Sequence, residues 1–168
     1  NTAGELVEIN TAISSRSGSF EGYSFAVPSN LMLKVVKDLK DFGRVQRAFI
    51  GINYNEVTPA LAAELDLNVN SGVYIANVIA GGSADDAGLK LGDVIINIAN
   101  KEVRSGADLT QALGQHRPGE QLDIVVNRNG QNKKFELLLK NKLGTTEMLT
   151  KEEELLRSFG AELENFSA

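Results

Sequence analysis

Residues 81–103 read GGSADDAGLKLGDVIINIANKEV. Ser83 is a good helix N-cap, and Asp86 three residues on completes a capping box for one short helical turn. Gly88 suits the left-handed position after the turn, with Leu89 placed for the apolar contact that accompanies such a cap. Gly92-Asp93 turns the chain, and Val94, Ile96 and Ile98 alternate with Ile95 and Asn97 in a strand apolar on both faces. Ala99-Asn100-Lys101 then turns it again, because Asn tolerates positive φ nearly as well as Gly. A bare helix–turn–strand is the plain alternative, but here three turn residues fall at fixed offsets between apolar positions.

Composition sets wide bounds around this stretch. The chain has 168 residues, 42% of them hydrophobic and 23% charged, as in an ordinary globular protein. Sixteen glycines and few aromatics suit a turn-rich fold that is mostly β with short helices (α+β). A net charge of −5 and a pI near 5.0 argue against nucleic acid or anionic membrane as a main partner. No apolar run approaches the roughly 20 residues of a transmembrane helix, and no signal peptide opens the sequence. The absence of Cys excludes disulfides and Cys-ligated zinc but leaves the compartment open, and no metal or cofactor is expected.

Outward from residues 81–103, the chemistry gathers at RAFIGINY, residues 47–54. Thr58 caps a short helix over Pro59–Glu64, with Pro at its favoured first position, and Gly72–Ile79 is a strand. Ser105 and Asp108 form a second capping box opening a helix over Gly106–Leu113, with Leu109, Ala112 and Leu113 as its apolar stripe. Pro118-Gly119 leads into a strand over Gln121–Arg128. Asn129-Gly130 makes a tight hairpin, and Lys133–Lys140 returns.

This order of elements closely resembles a bacterial PDZ domain over residues 49–140. The resemblance implies capture of a peptide C-terminus: N–H groups of a tight glycine-containing loop meet the terminal carboxylate, and the peptide adds as a strand beside the sheet. Phe49-Ile50-Gly51-Ile52 fits that loop; Gly51 permits close backbone approach, Ile50 and Ile52 would floor an apolar pocket, and Arg47 would add charge attraction. Leu109 and Leu113 would face the last ligand side chain, with Thr110 at the rim. Gly51→Val is expected to abolish binding and leave the domain folded. The alternatives stay open: an ordinary first strand with Ile50 and Ile52 in the core, and a helix stripe that is plain core.

Residues 1–43 read as two strands and a helix. Leu6, Val7, Ile9, Thr11 and Ile13 mark one strand, and Ser14–Ser19 a polar loop. Tyr23, Phe25 and Val27 mark a second strand that stops at Pro28. Ser29 or Asn30 caps a helix to Phe42, with Leu31, Val35, Leu39 and Phe42 inward and Lys34, Lys37, Asp38 and Lys40 wet. NTAGELVEINTAI…GYSFAVPSNLMLKVVKDL is similar to the end of the trypsin-like protease domain of the HtrA (DegP/DegQ) family. That resemblance implies that Asn10-Thr11-Ala12-Ile13 runs beside bound substrate, with Ala12 and Ile13 helping to line the S1 pocket. Glu8 departs from the family, where Gly is common. The nucleophilic Ser would stand just upstream; His116 reads as a solvated loop residue, and the chain alone should not hydrolyse peptides.

Residues 44–48 are then a connector, and 141–158 a linker with a third capping box, Thr150 with Glu153. Residues 159–168, beginning Phe159-Gly160-Ala161-Glu162-Leu163, resemble the start of a second PDZ domain or an acidic tail. The family resemblance implies a periplasmic serine endopeptidase of protein quality control, trimeric or larger, whose PDZ domain tethers unfolded proteins by their hydrophobic C-termini. The rival is a stand-alone peptide-binding module of a membrane protease or secretion component.

Overall fold

The computed structural model describes residues 2–3, 5–14 and 23–158, the side chains of 10–14, 23–25, 154, 157 and 158 excepted. The Phe159–Leu163 segment and most of the Ser14–Ser19 loop lie outside the described residues. The chain divides into two compact units at 45/46, which splits the expected connector. The fold is mostly antiparallel β with short helices, as expected.

In the first unit, β1 (Glu8–Ser14) pairs antiparallel with β2 (Tyr23–Pro28), and a bulge falls between Asn10 and Ala12. Helix α1 (Ser29–Phe42) follows and ends on Gly43 in the left-handed conformation. Its N-cap is Pro28, with no side-chain cap, rather than Ser29 or Asn30. Pro28 is still extended at φ −56° and ψ 140°, so Ser29 is already the first helical residue, its N–H held by the Val7 carbonyl at 2.8 Å. The expected wet face also differs. Asp38 is fully buried and paired with Lys34 at 2.7 Å, one turn away, whereas Leu39 is exposed.

The second unit contains β3 (Ile52–Glu56), α2 (Pro59–Glu64), β4 (Val73–Val78), α3 (Ser83–Asp86), β5 (Val94–Ile98) and β6 (Lys101–Glu102). It continues with α4 (Gly106–Gly114), β7 (Gln121–Arg128), β8 (Gln131–Leu138) and α5 (Lys151–Ser158). The sheet order is β3-β4-β5-β7-β8 with β6 on β5, so β3 and β8 are its edges. Strand β5 is apolar on both faces because it separates two clusters. Ile95 and Ile98 join the main core with Val73, Ile75, Ile124, Val126 and Leu137, while Val94 packs with Val57 and Ala62 of the α2 side.

Within residues 81–103 the helical turn starts one residue earlier than its pattern suggests. Gly82 is the N-cap, and Asp85 rather than Asp86 caps backwards, its carboxylate accepting the Gly81 N–H at 2.8 Å. Ser83 is freed for a longer contact, donating to the Phe49 carbonyl at 3.1 Å. At the other end Leu89 N–H donates to Ala84 and Gly88 N–H to Asp85, the paired bonds of a Schellman cap around Gly88 at φ +79°. The following turn is pinned by charge. Buried Asp93 is gripped by Arg128 at 2.6 and 2.7 Å and accepts the Lys90 N–H, while Arg128 also donates to the Gly88 carbonyl.

Residues 141–150 form an ordered strap. The Asn141 side chain accepts from the Leu143 and Thr145 N–H groups and donates to Thr145 and Glu147. Buried Gln46 then exchanges two hydrogen bonds with the backbone of Leu149, holding the start of the unit to the end of the strap. Thr150 and Glu153 form the expected capping box of α5. Among the described residues no helix is long and apolar enough to cross a membrane.

Candidate functional site

Strand β3 has a strand neighbour on one side only, leaving its other edge unpaired among the described residues. Helix α4 is tied to the far end of that strand. Glu56 Oε1 accepts the Gly106 N–H at 2.8 Å, and the Tyr54 ring packs so closely that a Cβ on Gly106 would lie 2.6 Å from its hydroxyl. The Ser105–Asp108 capping box fixes where α4 begins. Its carboxylate accepts N–H groups from Arg104 and Ser105 and the Ser105 hydroxyl, which holds Asp108 below its ordinary pKa.

The near end of the strand is the loop Phe49-Ile50-Gly51. Its three carbonyls all turn to one side: Phe49 accepts from the Ser83 hydroxyl, Ile50 from the Ala84 N–H at 2.8 Å, and Gly51 from the Ile79 N–H at 2.9 Å. The N–H groups of Ile50 and Gly51 consequently find no partner among the described residues. Because the Gly51 carbonyl pairs with β4, strand alternation turns the Ile52 N–H toward the open edge as well. Successive donors with no acceptor make an anion-binding concavity at the head of an open strand. Gly51 has φ +75°, and its Cα abuts Gly82, where a Cβ would meet it at 3.1 Å. Two glycines therefore back the loop.

The sequence-predicted side chains divide. Ile50 is 4% exposed and Leu109 2%, both in the core, so neither faces an accessible groove; at Ile50 it is the backbone that faces the site. Half-buried Ile52 and Leu113 pack against the same core from β3 and α4, and Phe49 is 44% exposed. Thr110 is exposed, its hydroxyl donating to the Gly106 carbonyl. Arg47 is exposed with no ion pair among the described residues. Gly51→Val cannot isolate binding, because a Cβ there would meet the Gly82 backbone at 3.0 Å in a left-handed conformation.

Asn10–Ile13 lie in β1 of the first unit, where the structure describes backbone but not their side chains. His116 is half-buried, not solvated, with Nδ1 2.6 Å from Glu120. Sequence reasoning missed Gly82, Ser83, Tyr54 and Lys140; the Gly81-Gly82 doublet ahead of a helical turn was the one local signal. Among the described residues no three His, Asp or Glu side chains gather as a metal site.

Comparison with known proteins fits this geometry. The PDZ domain family model matches residues 48–139. The chain belongs to the PDZ domain family. Its relatives place it more narrowly, in the HtrA family. A probable periplasmic serine endoprotease DegP-like of Ectopseudomonas mendocina is 39% identical over 139 residues, 83% of this chain and 29% of the relative. The periplasmic pH-dependent serine endoprotease DegQ of Escherichia coli is 34% identical over 83% of this chain and 30% of the relative. Among solved structures, the HtrA-type protease AlgW with decapeptide superposes with a TM-score of 0.61 at 37% identity, covering 84% of this chain and 44% of that one. The chain thus spans under a third of those curated relatives, and the residues they share include the whole PDZ domain.

Proposed function

We propose that the PDZ domain binds the free C-termini of extended, apolar peptides, the carboxylate resting on the N–H groups of Ile50, Gly51 and Ile52. The peptide adds antiparallel to β3, its last side chain against Ile52 and Leu113. One observation carries this reading: all three carbonyls of the loop are turned away, leaving consecutive N–H groups without an acceptor among the described residues. Each bond to an ionised carboxylate is worth about 1.5–3 kcal/mol, so the loop is the main source of affinity for a chain terminus.

The kinship with periplasmic endoproteases supports the wider setting. We read the PDZ domain as the tether of a periplasmic HtrA-type serine endopeptidase of protein quality control. It concentrates unfolded substrate at a protease domain that includes residues 1–43, with β1 beside the substrate, in a trimer or larger assembly.

The test is a calorimetric titration with one apolar peptide as free acid and as C-terminal amide. The free acid should bind at least tenfold more tightly, the worth of about 1.4 kcal/mol. Equal affinity for the two would remove the carboxylate loop as the site.

A further inference from the structure

Lys140 follows the last sheet strand, far in sequence from the carboxylate loop, yet three of its contacts converge on that loop's support. Its carbonyl accepts the Phe49 N–H at 2.8 Å, an isolated bridge at the start of the loop. Its Nζ donates to the Gly81 carbonyl at 2.7 Å and to the Asp86 carboxylate. Gly81 precedes Gly82, the residue against which Gly51 rests, and Asp86 closes the helical turn whose Ala84 N–H holds the Ile50 carbonyl. The side chain is 16% exposed, so its ammonium is held between these acceptors rather than free in solvent.

We propose that Lys140 is a positioning residue for carboxylate recognition. It clamps the 79–86 turn against the loop, and its charge cancels that of Asp86 behind the N–H groups that receive the ligand's anion. The inference rests on the peptide-binding reading above. Without the ammonium, the Gly81 carbonyl and the Asp86 carboxylate both lose their donor, and an uncompensated negative charge stands behind an anion site. The loop then loses geometry and potential together. Arg in place of Lys keeps the charge and can reach two acceptors.

The experiment compares wild type, Lys140→Met, Lys140→Arg and Lys140→Met/Asp86→Asn in the full chain, each titrated with the free-acid and amidated peptide. Ile50 and Gly51 amide shifts are followed by NMR. Lys140→Met should lower free-acid affinity about tenfold, the worth of one charge-assisted hydrogen bond, and leave the amide unchanged. The two loop amides should shift, Lys140→Arg should restore discrimination, and the double variant should recover part of it. Unchanged discrimination with unmoved amides in Lys140→Met overturns the proposal, as does equal loss for both peptides. If wild type itself fails to discriminate, the peptide-binding reading falls instead.

Discussion

Gly82→Ala separates the steric role of the loop's support from its conformational role. Gly82 has φ −76°, which alanine adopts without strain. The added methyl would meet the Ile79 carbonyl at 3.0 Å, Gly51 Cα at 3.1 Å and the Ile50 carbonyl at 3.4 Å, all backbone atoms. No side chain can swing aside, so the 79–82 turn and the Phe49–Gly51 loop must part by a few tenths of an ångström. Overpacking of this kind costs about 1–3 kcal/mol of stability. Bonds from N–H to carboxylate are short, so the same shift forfeits much of one, and free-acid peptide affinity should fall about tenfold. Gly81→Ala is the control. Gly81 has φ +74° but nothing within 4 Å of an added Cβ, so roughly 1–2 kcal/mol of stability is lost while the loop stays in place. Urea unfolding with calorimetric titration of both variants is the assay. Binding within twofold of wild type in Gly82→Ala, or equal binding losses in the two variants, would refute the steric argument.

Asp93→Ala leaves Arg128 without its carboxylate beneath the Gly92 turn and should cost about 3–5 kcal/mol in urea unfolding. Asp93→Ala/Arg128→Met should be less damaged than the single variant. The Asp108 capping box confers a pH dependence. Hydrogen bonds from Arg104 and Ser105 depress the folded pKa below the ordinary 3.8, so the folded state binds fewer protons than the unfolded one. That contribution is complete above 3.8 and disappears as pH falls through the depressed value, so the melting difference between wild type and Asp108→Asn should vanish in strong acid. Gln46→Ala leaves the buried Leu149 backbone groups unpaired, costing about 1–3 kcal/mol. It should also bring early proteolytic cleavage within residues 141–149; an unchanged cleavage pattern would count against the clasp.

Local physics wrote most of the elements into the sequence. Capping boxes at Ser105 and Thr150, the Thr58 cap, the left-handed glycine at 88 and the Asn129-Gly130 hairpin depend on residues within a few positions of each other, so periodicity and turn chemistry suffice to place them. The tight turn at Gly51 was legible for the same reason, since a glycine sits there between apolar residues ahead of a strand.

Tertiary structure decided what depends on distant partners. Ser83 caps nothing because Phe49, 34 residues away, claims its hydroxyl, and Asp85 takes over the capping. Leu109 and Ile50 carry the same side chains whether they line a groove or fill a core, and only packing across the sheet assigns them to the core. Asp93 reads as a turn residue until Arg128 arrives from 35 positions on, and Lys140 reads only as the end of a strand until Gly81 and Asp86 come within its reach. A hydrogen-bond donor or acceptor has no fixed partner in one dimension. Folding supplies it, and at this site the outcome is that every carbonyl of the loop is satisfied while the N–H groups of Ile50 and Gly51 have no partner among the described residues.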